Sequence, residues 1–257
     1  MNEVLEWLPD GSPYSPRFAD IYHSRSGGLN QAQRVFLAGC DLPGQWQGQT
    51  ACTVLETGFG LGVNFLTTWA AWEADPQRCA RLDFVSIEAY PVAAEALLRS
   101  AQALDSADAP HALQARVQSL APCLARVWQG GQPGIQHFDF AQGQVRLTLA
   151  VGDVRPMLAA LDCTADAVFL DGFSPACNPA MWSADTLQAV ARHCRVGTRL
   201  ASYTTQAQVR QTLTQLGFDV QRCAGLPPKR HRLQAVYLGT VGDAPAGDVS
   251  SQRTEPR

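Results

Sequence analysis

Four acids stand where a carboxylate does chemistry more readily than it supports a fold: Glu56, Glu88, Asp153 and Asp171. Each ends or directly follows a short apolar run that reads as a buried strand. Like charges gathered on one sheet edge repel one another, and a purely structural sheet has no reason to place them there. After the first acid come Gly58, Gly60 and Gly62, alternating with other residues before a helical pattern begins. Glycine admits φ > 0 and lets a ligand approach the main chain closely. The helix that follows offers unpaired N–H groups at its start. Such a turn suits a nucleotide-like ligand.

Two ligands compete for it. A dinucleotide fingerprint wants G-x-G-x-x-G, with the pyrophosphate on the helix N-terminus. Here the spacing is G-x-G-x-G, and Glu56 stands two residues before the first glycine. A carboxylate at that place would repel a pyrophosphate and suits a ligand with an ammonium and a sulfonium, as S-adenosylmethionine has. An ordinary glycine-rich turn is the bland reading. Glu88 could accept from both hydroxyls of a ribose, which serves either ligand. Asp153 could accept from an adenine amino group, or simply cap a helix.

Asp171 opens Phe169-Leu-Asp-Gly-Phe-Ser-Pro-Ala-Cys-Asn-Pro179, a loop that its prolines keep non-helical. An acid followed by an aromatic at a pocket mouth suits methyl transfer to an amine. That reaction needs the amine held close, its lone pair aimed, and water removed. A carboxylate aims the amine but also raises its pKa, opposing loss of the proton. Asp171 therefore reads as an orienter and eventual proton acceptor.

The remainder of the chain must position these groups. With 257 residues, 46% of them hydrophobic, it can bury one α/β core. Net charge is −3, so a nucleic-acid substrate would need a local basic patch. Eight cysteines show no C-x-x-C pair and no metal-ligand spacing, which points to a reducing cytoplasm and no metal. Neither a signal peptide nor an apolar run long enough for a bilayer is evident, so no membrane role is expected.

Residues 1–49 read as an N-terminal extension laid over the core, with one helical stretch at about Asn30–Ala38. Its Phe18 and Tyr22 either face substrate or only anchor the extension. A domain over 50–239 follows, with strands ending at Leu55, Glu88, Val151 and Asp171 and then strands at Arg199–Tyr203, Phe218–Cys223 and Leu233–Leu238. Helices are expected at Gly62–Trp72, Val92–Ala103, Ala112–Gln129, Ser183–Cys194 and Gln206–Leu216. Two alternating stretches around Ala141-Gln-Gly-Gln144 read as a small hairpin insertion. Residues 240–257 are polar and rich in Gly, Ala, Ser and Pro, as disordered tails are. Alternating strand and helix predict a mostly parallel, doubly wound sheet that binds ligand where strand order reverses.

Glu56-Thr-Gly-Phe-Gly-Leu-Gly-Val-Asn-Phe-Leu66 and Phe169 to Trp182 closely resemble the MnmD family, the methyltransferase part of the bifunctional MnmC proteins. Arg17-Phe-Ala-Asp-Ile-Tyr22, Val35-Phe-Leu-Ala-Gly39, Ala201-Ser-Tyr-Thr-Thr205 and Lys229-Arg230 resemble it too, in collinear order over about residues 7–238. The resemblance implies a Rossmann-like class I fold dependent on S-adenosylmethionine. It implies methylation of the 5-aminomethyl group of 2-thiouridine at the wobble position of the tRNA anticodon stem-loop. Glu56, Gly58, Phe59, Gly60, Gly62, Asn64, Glu88, Asp153 and Asp171 would then line the cofactor site, with Asp171 also beside the substrate amine. Phe173, Pro175, Tyr22 and Tyr203 would shape the mouth for a flipped base. Lys229, Arg230 and Arg232 would contact phosphate.

The sequence departs from the family pattern at Val196-Gly197, where a glycine pair is common, and at His231, where an acid is common. No flavin-binding second domain and no second glycine fingerprint occur before Arg257: a complete chain is expected to perform methyl transfer only, with a functional link to a separate FAD-dependent oxidoreductase, and an isolated domain of a longer protein is the other reading. Methylation of a small amine and a non-catalytic role in binding the cofactor are the alternatives.

Overall fold

Strand side chains alternate between faces, and here both faces are apolar: Val54 and Phe84 enter one core, Leu55 and Val85 the other. Such strands must be covered on both sides, and the chain does this with helices. The computed structural model describes residues 3–23, 27–104, 110–128, 130, 132–227 and 229–239. The tail expected at 240–257 lies outside them.

Three short antiparallel strands, β1 (Glu6–Trp7), β2 (Pro13–Ser15) and β3 (Asp20–Ile21), form a small sheet of their own. Helix α1 (Gly28–Gln31) follows, continued by a π turn over Ala32–Leu37 and a 3-10 turn over Ala38–Cys40. The stretch expected as one helix is therefore irregular. Its Leu29, Val35 and Phe36 are buried in the core, and Phe36 packs on Phe169 with ring centroids 5.3 Å apart.

The main sheet begins with β4 (Ala51–Thr57), α2 (Val63–Ala74), β5 (Arg81–Glu88), α3 (Ala94–Ala103) and α4 (His111–Val127). Then come β6 (Gly134–Phe140), β7 (Val145–Val151), α5 (Val154–Ala160), β8 (Ala165–Leu170) and α6 (Ala184–Ala191). It ends with β9 (Cys194–Ser202), α7 (Ala207–Gln215), β10 (Phe218–Ala224) and β11 (His231–Tyr237). Strand order is β10-β11-β9-β8-β4-β5-β7-β6. The pairs β7–β5, β5–β4, β4–β8 and β8–β9 are parallel, and β6 and β11 run antiparallel to their neighbours.

The β6–β7 hairpin forms as expected, but it is the sheet edge itself rather than an insertion beside it, because β7 pairs directly with β5. Strand β9 starts at Cys194, five residues before the expected Arg199, and α6 stops at Ala191. A register shift between Ala165 and Ala167 and a left-handed Gly197 (φ +94°) let that early segment stay in the ladder. From β4 the chain first adds strands on one side, through β5 to β7, then crosses to β8 on the other. Strand order thus reverses at β4, whose end carries the glycine turn.

Candidate active site

Glu56 is the penultimate residue of β4 and has no solvent exposure. Its Oε1 accepts from Asn64 Nδ2 at 2.9 Å, and its Oε2 accepts from Ser86 Oγ at 2.6 Å. Burial drives its pKa well up, aided by the nearby Asp171 and opposed by those two donors. The expectation that Glu56 faces the ligand needs correction. Its carboxylate lies beneath the turn with both oxygens engaged, and it anchors the first turn of α2 to the sheet.

Above it, Gly58, Gly60 and Gly62 all have positive φ (+82°, +54° and +71°). A Cβ on Gly58 would lie 3.1 Å from Gly172 Cα, and one on Gly60 3.1 Å from the Tyr22 ring. Gly62 caps α2 without a side-chain bond, so the helix's opening N–H groups stay available. Phe59 is buried and stacks on Trp128 at 5.1 Å, holding the turn from the core side. Glu88, half-buried at the end of β5, accepts from Gly60 N and Tyr90 N, each at 2.8 Å. Burial raises its pKa against those bonds.

Asp153 is exposed and accepts from Arg155 N at 3.1 Å, so it caps α5. The cap uses Oδ1, leaving Oδ2 for another donor.

Asp171 directly follows β8. Its Oδ2 accepts from Asn64 Nδ2 and its Oδ1 from Gly172 N, both at 2.8 Å. Its backbone is pinned to β4 by Thr57 Oγ1, which donates to Asp171 O at 2.8 Å. Burial pushes its carboxyl up to about 6, against the pull of Gly172 N–H, Asn64 and the Lys229 cation.

Phe173 stacks on Phe18 with centroids 4.5 Å apart and meets the Tyr22 ring edge-on at 4.8 Å. Its carbonyl accepts from Trp182 Nε1 at 2.8 Å. Pro175 is half-buried on the same loop. Tyr203, just past β9, donates its hydroxyl to Gly172 O and carries Lys229 Nζ over its ring at 3.6 Å from the centroid. The basic group at 229–232 is split. Arg230 is exposed, whereas Arg232 turns back to donate to Ala224 O at 3.1 Å and Val35 O at 3.4 Å. Arg232 is thus occupied by the fold rather than free for phosphate. His231 begins β11 with its Nδ1 3.0 Å from Arg222 Nη2.

Three contributors escape the sequence reading. Asp20 Oδ2 accepts from Ser174 N at 3.0 Å and so ties β3 to the Asp171 loop. Buried Glu3 accepts from Ser15 Oγ at 2.6 Å and Arg17 Nε at 2.8 Å, and its N–H donates to Pro91 O. Ser86 holds Glu56. The signal for Asp20 was its place inside Arg17-Phe-Ala-Asp-Ile-Tyr22; nothing local marks Glu3.

The family described as S-adenosyl-L-methionine-dependent methyltransferase matches residues 115–238. A "tRNA 5-methylaminomethyl-2-thiouridine biosynthesis bifunctional protein MnmC" from Acidovorax sp. (strain JS42) is 54% identical over 237 residues, 92% of this chain and 36% of its own length. One of the same description from Delftia acidovorans is 48% identical over all of this chain and 37% of its own length. The chain belongs to the MnmD family of S-adenosyl-L-methionine-dependent methyltransferases. It spans little more than a third of the length of the curated relatives it matches. The crystal structure of MNMC2 from Aquifex aeolicus superposes with a TM-score of 0.70 at 23% identity, covering 93% of this chain and 72% of that one, which supports the fold.

The residues present fit the family's cofactor. A Cβ on Gly58 would meet the Gly172 backbone and one on Gly60 the Tyr22 ring, so the turn must stay bare main chain, which suits a ligand that approaches the backbone closely. The uncapped start of α2 suits a carboxylate, and Glu88 at a parallel strand end suits vicinal hydroxyls.

Proposed function

We propose that this chain methylates the aminomethyl nitrogen of 5-aminomethyl-2-thiouridine at the wobble position of tRNA. One observation carries the reading. The glycine turn and the Asp171 loop touch backbone to backbone, a Cβ on Gly58 falling 3.1 Å from Gly172 Cα and 3.3 Å from Asp171 O. A methyl donor cradled by the turn and an amine held by Asp171 would therefore meet. The names of the MnmC relatives, which specify tRNA and this modification, support the substrate.

When bound, the cofactor supplies an electrophilic methyl group on a sulfonium. The chain's residues do the rest. Asp171 accepts N–H bonds from the amine and fixes its direction. Asn64 and Gly172 N–H hold that carboxylate in place. Phe173, Phe18 and Tyr22 offer aromatic faces to an unstacked base, and anticodon bases are already unpaired, so extraction costs little. Arg230, which is exposed, would contact backbone phosphate. Glu56, Phe59, Gly62 and Asn64 would support the cofactor site from below, and Asp153 would offer Oδ2 to the adenine amino group.

All eight cysteines are unpaired, as suits a cytoplasmic protein, and among the described residues no helix is long and apolar enough to cross a membrane. Because its relatives are named bifunctional, this activity is proposed to follow that of an FAD-dependent oxidoreductase. The test is incubation with radiolabelled S-adenosylmethionine and tRNA carrying 5-aminomethyl-2-thiouridine. Label is expected in that nucleoside; none from folded, cofactor-binding protein would refute the reading.

A further inference from the structure

An aromatic ring at the mouth of a site that takes a flipped base suggests a stacking surface, and Tyr203, just past β9, is such a ring. Its surroundings point elsewhere. Lys229 Nζ covers one face of the ring, 3.6 Å from the centroid, as a cation does over an aromatic face. Trp182 meets the ring at 82° with centroids 6.0 Å apart. A base stacking on the covered face would have to displace the lysine. The hydroxyl is not free either, for it is donated to Gly172 O. Burial raises the pKa of the phenol, so it remains a donor at any working pH.

The carboxylate of Asp171 points where the backbone after it allows. In the peptide group joining Asp171 to Gly172, the carbonyl accepts from Thr57 Oγ1 and the N–H donates to Asp171 Oδ1, both at 2.8 Å. The group joining Phe173 to Ser174 is also held at both ends. Trp182 Nε1 donates to its carbonyl at 2.8 Å, and its N–H donates to Asp20 Oδ2 at 3.0 Å. Between them lies the group joining Gly172 to Phe173. The Tyr203 hydroxyl holds its carbonyl, and among the described residues no other hydrogen bond reaches it. Gly172 has φ +140°, and glycine resists rotation less than any other residue. The loop therefore has one soft joint, directly after the acid, and one bond that locks it.

We propose that Tyr203 is a positioning residue, which locks the Gly172 joint so that Asp171 stays aimed at the substrate amine, and that its ring is not a stacking surface for the base. This rests on the N-methyltransferase reading above. Turning the joint would move the Gly172 N–H off Oδ1 and leave Asn64 alone to direct the carboxylate. It would also shift the backbone that meets the glycine turn, where a Cβ on Gly58 would fall 3.1 Å from Gly172 Cα. Lys229 and Trp182 serve the lock by holding the ring so that its hydroxyl meets the carbonyl.

Two substitutions test it. Tyr203→Phe keeps the ring, its packing and the Lys229 contact, and removes the hydroxyl alone. Its kcat is expected to fall about 10- to 100-fold, the scale for a reacting group displaced by up to 1 Å, with tRNA KM and cofactor affinity kept within severalfold. Amide exchange at Gly172 and Ser174, followed by NMR without substrate or cofactor, should quicken in this variant. Tyr203→Leu removes the ring as well, and should match Tyr203→Phe in kcat while leaving tRNA KM unchanged. A stacking surface predicts the reverse, since phenylalanine stacks as well as tyrosine: wild-type kcat in Tyr203→Phe and a raised tRNA KM in Tyr203→Leu would overturn the proposal. So would unchanged amide exchange in Tyr203→Phe. Wild-type protein that labels no tRNA, with exchange quickened as expected in the variant, would instead sink the functional reading and leave the lock in place.

Discussion

The carboxylates of Glu56 and Asp171 share one donor: Asn64 Nδ2 lies 2.9 Å from Glu56 Oε1 and 2.8 Å from Asp171 Oδ2. The two acids sit on neighbouring parallel strands, Glu56 in β4 and Asp171 just past β8, and Asp171 adds to the cost of ionising Glu56. Replacing Asn64 with leucine keeps most of its volume and removes both bonds. Two buried acceptors are then left short of a donor, which should cost about 2–4 kcal/mol. In this variant both carboxyls should rise further, so the folded state holds more protons than the unfolded one. Stability must then fall as pH climbs, and the deficit against wild type should be larger at pH 8 than at pH 5. Urea denaturation at the two pH values measures it; an equal deficit would mean that volume, not charge, explains the loss.

Asp171, with its carboxyl at about 6, sets an acid limit on turnover. Below that value it is neutral and holds an ammonium poorly, so kcat/KM should drop tenfold per pH unit there. Asp171→Ala should lose at least about 100-fold in methyl transfer, the low end for a group acting directly at the reacting atoms. Its cofactor affinity, read by calorimetry, should stay within severalfold. The stability effect has the opposite sign. Since the folded pKa is raised above the usual 3.8, ionisation disfavours the folded state, and this stabilisation fades as pH rises from about 4 to about 6.

The parallel strands were legible because both faces of the sheet are buried, leaving apolar runs such as those ending at Leu55 and Leu170. The glycine turn was legible because three positive-φ positions leave a spaced signature. What a strand end does not reveal is the direction of its last side chain. Glu56 reads the same whether it faces a ligand or lies beneath the turn, and only the pairing of β4 with β5, which brings Ser86 beside it, decides. Lys229 and Arg232 look like one basic cluster until β11 pairs with β9 and sends Arg232 back towards Val35. The bond from Asp20 to the site is long-range, reaching Ser174 across 154 positions, beyond any local pattern.

Gly58 should tolerate nothing larger. Alanine there would adopt φ near +82°, costing about 1–2 kcal/mol for an L residue. Its Cβ would also press on the backbone of Gly172 at 3.1 Å, so the turn and the acid loop would have to separate. Misplacement on that scale costs about 100-fold in turnover. Gly48 supplies the control, having φ +73° and open space within 4 Å of where a Cβ would stand. Gly48→Ala should show the thermal destabilisation of a strained backbone and keep methyl transfer; Gly58→Ala should lose both. Equal activities would argue against the close approach as the functional constraint.

The aromatic cover over the site should act on tRNA and not on cofactor. Phe18 is wedged between Phe173 at 4.5 Å and Tyr90 at 5.9 Å, and Arg17 lies over the Tyr90 ring at 4.1 Å while bonded to buried Glu3. Removing Phe18 leaves Phe173 with Tyr22 alone and loosens the path from β2 to β3 over the glycine turn. Phe18→Ala should therefore raise tRNA KM, leave cofactor affinity nearly unchanged, and speed amide exchange over residues 13–22. Combined with Phe173→Ala, it should show a coupling of about 0.5–1.5 kcal/mol in kcat/KM, the usual range for an aromatic pair. Additive losses would mean that the two rings act on substrate independently. Coupling together with a fall in cofactor affinity would place the pair at the cradle instead of at the mouth.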